Sequence, residues 1–122
     1  MLFRSAVVDA LDAVRPVLHG WRTAGGRVAL DDAAARGPVF ELLRALPLDE
    51  LKIDATTVRR GCAADADLLD RLALRTVVEA AQALDLPTVA KGVEQRNMLP
   101  ALAALGVRAA QGFALHRPEP LG

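Results

Sequence analysis

Two short apolar runs that end in charged residues constrain the fold of this chain more than any other feature. The first covers residues 28–32 and ends in Asp31 and Asp32, and the second covers residues 51–54 and ends in Asp54. Runs of this kind are typical of buried parallel strands, whose carboxyl ends carry polar groups to the mouth of a barrel or the edge of a sheet. The two runs therefore predict neighbouring parallel strands with a functional edge where the charges lie.

Helix-like and strand-like segments alternate along the whole chain. Apolar residues at three- and four-residue steps predict helices over residues 6–24, 38–45, 65–84 and 95–105. Short apolar runs predict strands over residues 28–31, 48–53, 87–90 and 107–113, and residues 59–64 are predicted to be a loop. Pro16 either kinks the first helix or opens a second one. The alternation predicts βα units with right-handed crossovers and a parallel sheet.

The composition indicates one packed globular domain. The 122 residues are enough for a single domain, and 52% hydrophobic with 25% charged residues is typical of a folded core. Fifteen basic and fifteen acidic residues balance, so general nucleic-acid binding is not expected. The lone Cys62 excludes an intrachain disulfide and fits a reducing compartment. Because there is neither a signal peptide nor a membrane-spanning run, we expect a cytoplasmic protein.

Four short motifs follow one another at fixed spacing. They are Asp31-Asp32, the Lys-Ile-Asp at residues 52–54, the Lys-Gly-Val-Glu at residues 91–94 and the Gln-Gly-Phe at residues 111–113. In this order the chain resembles the EAL family of (β/α)8-barrel cyclic di-GMP phosphodiesterases, whose pattern is Asp-Asp-Phe-Gly-Thr-Gly, Lys-Ile-Asp, Glu-Gly-Val-Glu and Gln-Gly-Phe or Gln-Gly-Tyr. The resemblance implies the C-terminal half of such a barrel, with about four parallel strands alternating with helices. We expect one partial EAL-like domain over residues 1–122.

The resemblance implies a role for each motif residue. The family reaction is attack of a metal-activated water on a phosphodiester bond of cyclic di-GMP, with two divalent ions bridging the nucleophile and the phosphate. By resemblance Asp31 is a metal ligand and Asp32 its neighbour, while Lys52 contacts the nucleophile or the phosphate. Glu94 supports the site and Gln111 lines its floor. Without the resemblance, the aspartates would cap the next element and Lys52 would be an exposed strand end.

The chain departs from the family pattern in three places. The family domain is about twice as long, and Met1 and Arg4 stand where two glutamates of its first half are expected. The loop residues Ala33, Ala34, Ala35 and Arg36 replace Phe-Gly-Thr-Gly, which removes flexible glycines and puts the family's dimer contact in doubt.

The third departure is Lys91, which replaces the first glutamate of Glu-Gly-Val-Glu. Two unit charges about 4 Å apart interact by roughly 4 kcal/mol at an effective dielectric constant near 20. An attraction for a divalent ion therefore becomes a repulsion. Lys91 by itself is expected to silence an otherwise complete site.

These departures predict a degenerate module that is inactive alone and acts, if at all, in signalling or protein interaction. Two aspartates cannot hold two hard cations that each prefer six oxygen ligands, so the chain alone is expected to have no cofactor. Mg²⁺ or Mn²⁺ would bind only if the site were completed. The alternative function is a cyclic di-GMP phosphodiesterase that a partner or the missing half of the barrel completes. Because four parallel strands leave open sheet edges, we expect a homodimer or association with the missing barrel half. Cyclic di-GMP binding should be weak or absent, and no membrane contact is expected.

Overall fold

The computed structural model describes residues 2–35, 39–112 and 119–121, with side chains from residue 11 onward. Helices and strands alternate along these ranges, as the sequence predicts. In chain order they are α1 (Leu2–Thr23), β1 (Ala29–Ala33), α2 (Val39–Ala45), β2 (Glu50–Ile53), α3 (Ala55–Cys62), α4 (Leu68–Ala83), β3 (Thr88–Ala90), a 3-10 turn (Arg96–Met98), α5 (Leu99–Leu105), β4 (Ala109–Ala110) and β5 (Glu119–Pro120).

The strands form one five-stranded sheet in the order β1-β2-β3-β4-β5. Neighbours from β1 to β4 are parallel, which confirms the predicted parallel sheet of four strands. The short β5, which the sequence reasoning did not predict, pairs antiparallel with β4. Within the described ranges β1 pairs with β2 alone, so the sheet has one edge at β1 and the other at β5.

The hydrophobic core lies between one face of the sheet and the helices. In β2 the side chains of Leu51 and Ile53 are fully buried, whereas Glu50 and Lys52 alternate with them and are half-buried. Because side chains alternate between the two faces of a strand, Lys52 lies on the face opposite the core. The helices contribute the other large buried side chains, namely Val58, Leu74, Val77, Val78 and Leu102.

The first helix differs from its predicted bounds. It begins at Leu2 rather than at residue 6, and it runs through Pro16 as one element. Arg4 therefore lies in a helix, and Met1 lies outside the described residues. The helical hydrogen bonds and the amphipathic pattern on either side of Pro16 outweigh the one backbone donor that proline lacks.

Helix α3 is absent from the predicted elements, and the predicted loop at residues 59–64 is wrong over its first four residues. Asp54 begins this helix, because its side chain accepts a hydrogen bond from the Thr57 amide at 2.9 Å. An aspartate at this position is a strong helix start signal. Two threonines in the first turn have low helix propensity and obscure the signal in the sequence.

The last helix and strand are shorter than predicted. Residues 95–105 divide into the 3-10 turn and α5, with Pro100 in the first turn of the α-helix. Of the predicted strand over residues 107–113, the described residues 107–112 form a strand at Ala109–Ala110. Its last residue, Phe113, lies outside the described residues.

Candidate functional site

A β-bulge near the end of β1 presents the two aspartates. Leu30 pairs with Leu51 and Ala33 pairs with Ile53, so β1 has one residue more than β2 over this interval. Asp31 and Asp32 occupy the interval, and Asp32 has a left-handed backbone conformation with φ of 54°. An extra residue redirects the neighbouring side chains. The sequence predicts that this strand stops at Asp31. In the structure it continues to Ala33.

Lys91 bonds directly to both aspartates. Its Nζ lies 2.8 Å from Asp31 Oδ1 and 3.0 Å from Asp32 Oδ1. The backbone amide of Lys91 donates to the Ile53 carbonyl oxygen at 3.2 Å, which holds the residue beside the end of β2. Since Lys91 follows β3 and the aspartates belong to β1, its side chain spans the intervening strand. The side chain of Lys91 is 25% exposed, against 58% for Asp31 and 72% for Asp32.

The charges of this cluster stabilise one another. The hydrogen bond from Lys91 is the main reason that the pKa of Asp31 is lowered, and the more distant Lys52 ammonium acts in the same direction. Conversely, hydrogen bonds to Asp31 and Asp32 raise the pKa of Lys91 above its ordinary value. Asp31 and Lys91 are therefore held in their charged forms by this contact.

Lys52 and Gln111 lie at the same carboxyl edge of the sheet. Lys52 is in β2, opposite Val89 of β3. Gln111 follows β4 directly. Its backbone amide donates to the Ala90 carbonyl oxygen at 2.9 Å, and its backbone carbonyl oxygen accepts from the Val93 amide at 3.0 Å. The structure thus brings these two residues to the edge that carries Asp31. Their catalytic roles stay predictions.

Glu94 faces a different surface. Its carboxylate lies 3.6 Å from the Arg59 guanidinium, and both side chains are about half exposed. The two residues line a cleft of about 350 Å³ between the end of α3 and the start of α5, which is also lined by Cys62. Burial raises the pKa of the Cys62 thiol, so the thiol is neutral at physiological pH. The lining of this cleft includes neither aspartate of the bulge.

The residues at the bulge do not fit a divalent metal site. In the parts of the chain that the structure describes, no group of three or more His, Cys, Asp or Glu side chains is placed to hold a metal ion. Asp31 and Asp32 supply two carboxylates, and both are bonded to the Lys91 ammonium. A hard divalent cation prefers about six oxygen ligands, so this donor set neither satisfies its coordination nor leaves it free access.

The loop substitutions have different surroundings. Ala33 is the last residue of β1 and is buried, and Ala34 is buried beside it. Ala35 is half-buried, and Arg36 lies outside the described residues. The alanines therefore pack into the fold, and Asp32, which precedes them, has a positive φ. In the described residues no helix is long and apolar enough to cross a membrane.

Comparison with known proteins places this architecture in a family. A sequence model described as the EAL domain matches residues 2–118. The chain is 34% identical over 116 residues to an uncharacterized protein, Mb1389c, of Mycobacterium bovis, with 95% of this chain and 18% of that protein aligned. It is 32% identical over 105 residues to the cyclic di-GMP phosphodiesterase PdeB of Shewanella oneidensis, aligning 86% of this chain and 12% of PdeB.

Solved structures agree with the sequence comparison. The EAL domain of Mycobacterium smegmatis DcpA matches with a TM-score of 0.75 and 34% identity over 90% of this chain and 48% of that chain. The PaMucR phosphodiesterase in complex with c-di-GMP matches with a TM-score of 0.75 and 31% identity, covering 89% of this chain and 43% of the other. The chain thus spans less than half of these barrel structures and less than a fifth of the curated relatives. The parallel sheet, the helices and the matched span together show that this chain is a partial barrel and belongs to the EAL domain family.

Proposed function

We propose that this chain is a degenerate EAL-type module that does not hydrolyse cyclic di-GMP by itself and acts in signalling through its association with protein. In this proposal residues 1–122 form one partial domain. The lone Cys62 supports a cytoplasmic location, because cysteines stay as free thiols in a reducing compartment. Relatives named as cyclic di-GMP phosphodiesterases define the chemistry that has been lost.

The observation that carries the proposal is the bonding of the Lys91 ammonium to Asp31 and Asp32. Metal-dependent hydrolysis of a phosphodiester needs carboxylates that are free to bind cations, because the cations activate water and neutralise the phosphate. In this chain both carboxylates already have a cationic partner at 2.8 and 3.0 Å. Lys52, Glu94 and Gln111 are then vestigial in the catalytic sense.

The open edge of β1 supports association with a protein partner. Backbone groups on the unpaired side of β1 can pair with a further strand, as barrel strands do. The solved relatives contain about twice as much chain as this sequence, since the match covers 43–48% of their length. We propose that the edge is completed by a second copy of the chain or by a polypeptide that corresponds to the other half of the barrel.

A hydrolysis assay tests the catalytic part of the proposal. The purified chain is incubated with cyclic di-GMP and Mg²⁺ or Mn²⁺, and linear dinucleotide is measured by chromatography beside PdeB as the active control. We expect product at the level of the protein-free blank. Calorimetric titration with the nucleotide and either metal is expected to show weak binding or none. Turnover by this chain alone would contradict the proposal.

The second candidate is a phosphodiesterase that a partner completes. It is favoured by the position of Asp31, Lys52 and Gln111, which all lie at one edge of the sheet. Coexpression with the first half of a relative's barrel tests it, using the chain with Lys91 and a Lys91→Glu variant. A partner can add metal ligands but cannot remove the Lys91 ammonium. Activity with Lys91 in place would therefore show that the ammonium does not block the completed site, and would support this candidate. Activity only after Lys91→Glu would support the inactive module.

A further inference from the structure

We infer that Lys91 is the resident cation of the Asp31–Asp32 pair, and that it links the ends of β1 and β3 and excludes divalent ions from these carboxylates. The inference goes beyond the proposed function, because it concerns how the site is held together and not whether the nucleotide is cleaved. It assigns Lys91 a structural role, which is to link the ends of β1 and β3. Substitution of Lys91 should therefore change the local structure and the cation preference of the loop.

The Lys91 ammonium bridges the two carboxylates, as a bound metal cation could. Lys91 Nζ contacts one oxygen of each aspartate, at 2.8 Å and 3.0 Å. A lysine ammonium carries three donors on a compact charge, so it can serve two carboxylates at once. The two aspartates are adjacent in the bulge of β1, whereas Lys91 follows the non-adjacent strand β3. The three side chains thus cross-link strands that share no backbone hydrogen bond.

The backbone at the bulge needs such support. Asp32 has a φ of 54°, in the left-handed region that residues other than glycine adopt less readily. Its amide donates to Asp31 Oδ1 at 2.8 Å, and the same oxygen accepts from Lys91. One carboxylate oxygen therefore fixes both the turn and the ammonium. Loss of the ammonium would leave two neighbouring negative charges on a strained turn.

Exclusion of metal follows from the same geometry. A divalent ion at the carboxylates would lie within a few ångströms of the ammonium and would be repelled by it. To bind there it would also have to break two charge-assisted hydrogen bonds. Lys52, the other lysine of the chain, has a smaller electrostatic influence on Asp31 and makes no such contact among the described residues. Lys91 is thus the residue to test.

Nuclear magnetic resonance on the wild-type chain tests the contact directly. Because the chain has only two lysines, its side-chain ammonium spectrum contains at most two lysine signals. We expect the protons of Lys91 to exchange with water at least about 10-fold more slowly than those of Lys52, since hydrogen bonds protect them. The double substitution of Asp31→Ala and Asp32→Ala removes both acceptors and should abolish that difference. Equal exchange of the two ammonium groups in the wild-type chain would overturn the inference.

Titration with Mn²⁺ tests the exclusion of divalent ions. In Lys91→Met the Asp31 and Asp32 amide signals should be broadened by Mn²⁺ at concentrations about 10-fold lower than in the wild type. Arg59→Met is the matched control, because it removes one positive charge from an exposed ion pair elsewhere, and it should respond like the wild type. Equal broadening of the two signals in wild type and Lys91→Met would overturn the inference. If Lys91→Met does not fold, Lys91→Gln replaces it in the same comparison.

Neither experiment depends on the nucleotide. Failure of the proposed function would appear as hydrolysis of cyclic di-GMP. Failure of this inference would appear as unprotected Lys91 protons or as unchanged Mn²⁺ broadening. The two results are therefore distinguishable.

Discussion

At the scale of single residues, the site is defined by three charged side chains. The sequence predicts that Lys91 repels a metal ion, and the structure shows that its ammonium forms ion pairs with Asp31 and Asp32. The two views are physically consistent, because a cation that repels a metal ion attracts the ligands of that metal. In this chain the two carboxylates therefore form ion pairs with the Lys91 ammonium.

The ion pairs predict a stability that depends on pH. The pKa of Asp31 is lowered below its ordinary value of 3.8, chiefly by the hydrogen bond from Lys91, so its contribution is present above 3.8 and is lost as the pH falls through the lowered pKa. The pKa of Lys91 is raised above 10.5, so its contribution is complete below 10.5 and is lost as the pH rises through the raised pKa. The melting-temperature difference between wild type and Lys91→Met should therefore be largest between these limits.

Thermal melts of the two proteins at neutral pH, below 3.8 and above 10.5 check this expectation. At neutral pH Lys91→Met should melt about 2–6 °C lower, which is the range for loss of a modest interaction in a small domain. Lys91→Arg keeps the charge and should melt between the two. A melting-temperature difference that stays constant across the whole pH series would contradict the expectation.

Gly92 follows Lys91 and is predicted to tolerate no side chain. Its φ is +71°, and an added Cβ would overlap the Ala55 side chain and lie 3.0 Å from the Ala55 Cα. Gly92→Ala should lower the free energy of unfolding by about 2–4 kcal/mol, because backbone strain adds to the contact with α3. Gly20 is the matched control, since it lies inside α1 with no atom within 4 Å of an added Cβ. Gly20→Ala should stabilise by up to about 1 kcal/mol. Chemical denaturation measures both, and equal effects would refute the prediction.

At the scale of elements, the unpredicted helix α3 organises the carboxyl edge. It begins directly after β2, at Asp54, and its Ala55 packs against Gly92 in the loop that carries Lys91. Helix α3 also supplies Arg59, which pairs with Glu94 and keeps that carboxylate in the cleft. Glu94 thus lines a cleft beside α3 whose lining includes neither Asp31 nor Asp32.

The cap of α3 should matter more than the cap of α4. Asp54 is 8% exposed and bonds to the Thr57 amide at 2.9 Å, while the exposed Asp67 bonds to the Asp70 amide at 2.8 Å. We expect Asp54→Ala to lower the free energy of unfolding by about 1–2 kcal/mol, and Asp67→Ala by about 0.5–1 kcal/mol.

Asp54→Asn keeps an oxygen acceptor and should recover most of the loss at that position. Urea denaturation followed by circular dichroism measures the three variants. A larger loss for Asp67→Ala than for Asp54→Ala would show that α3 does not depend on its cap. Full loss in Asp54→Asn would show that another property of the carboxylate, and not capping, is responsible.

At the scale of the whole molecule, the sheet is part of a barrel with an open edge. The described sheet has four parallel strands, and β5 pairs with β4 by an antiparallel contact. The solved relatives are about twice as long as this chain. Large apolar side chains are also exposed on the described surface, among them Val17, Trp21, Leu68 and Leu69. An open edge together with exposed apolar surface favours association.

Size-exclusion chromatography with light scattering measures this association. We expect a mass of at least twice 12.9 kDa at micromolar concentration, with dissociation on dilution. Binding of a fluorescent apolar dye should decrease when a polypeptide for the first half of a barrel is added. A well-folded monomer that resists dilution and binds no dye would contradict both forms of the partner proposal.

The sequence alone was sufficient for the architecture and the family. Periodic apolar residues and charged strand ends determined the alternation of helices with parallel strands, because these patterns express local geometry and burial. The four motifs identified the family, although Phe113 of the last one lies outside the described residues. The placement of Asp31, Lys52 and Gln111 at one edge also followed, since carboxyl ends of parallel strands meet on one side of a sheet.

Tertiary structure alone decided which charges meet. The bulge that turns Asp31 and Asp32 outward appears only when β1 is paired with β2, and the reach of Lys91 over β2 depends on the order of the strands. Glu94 belongs to the same motif as Lys91, yet it pairs with Arg59 because α3 packs beside it. Contacts between residues about sixty positions apart depend on packing, and packing is a property of the whole fold that no local pattern contains.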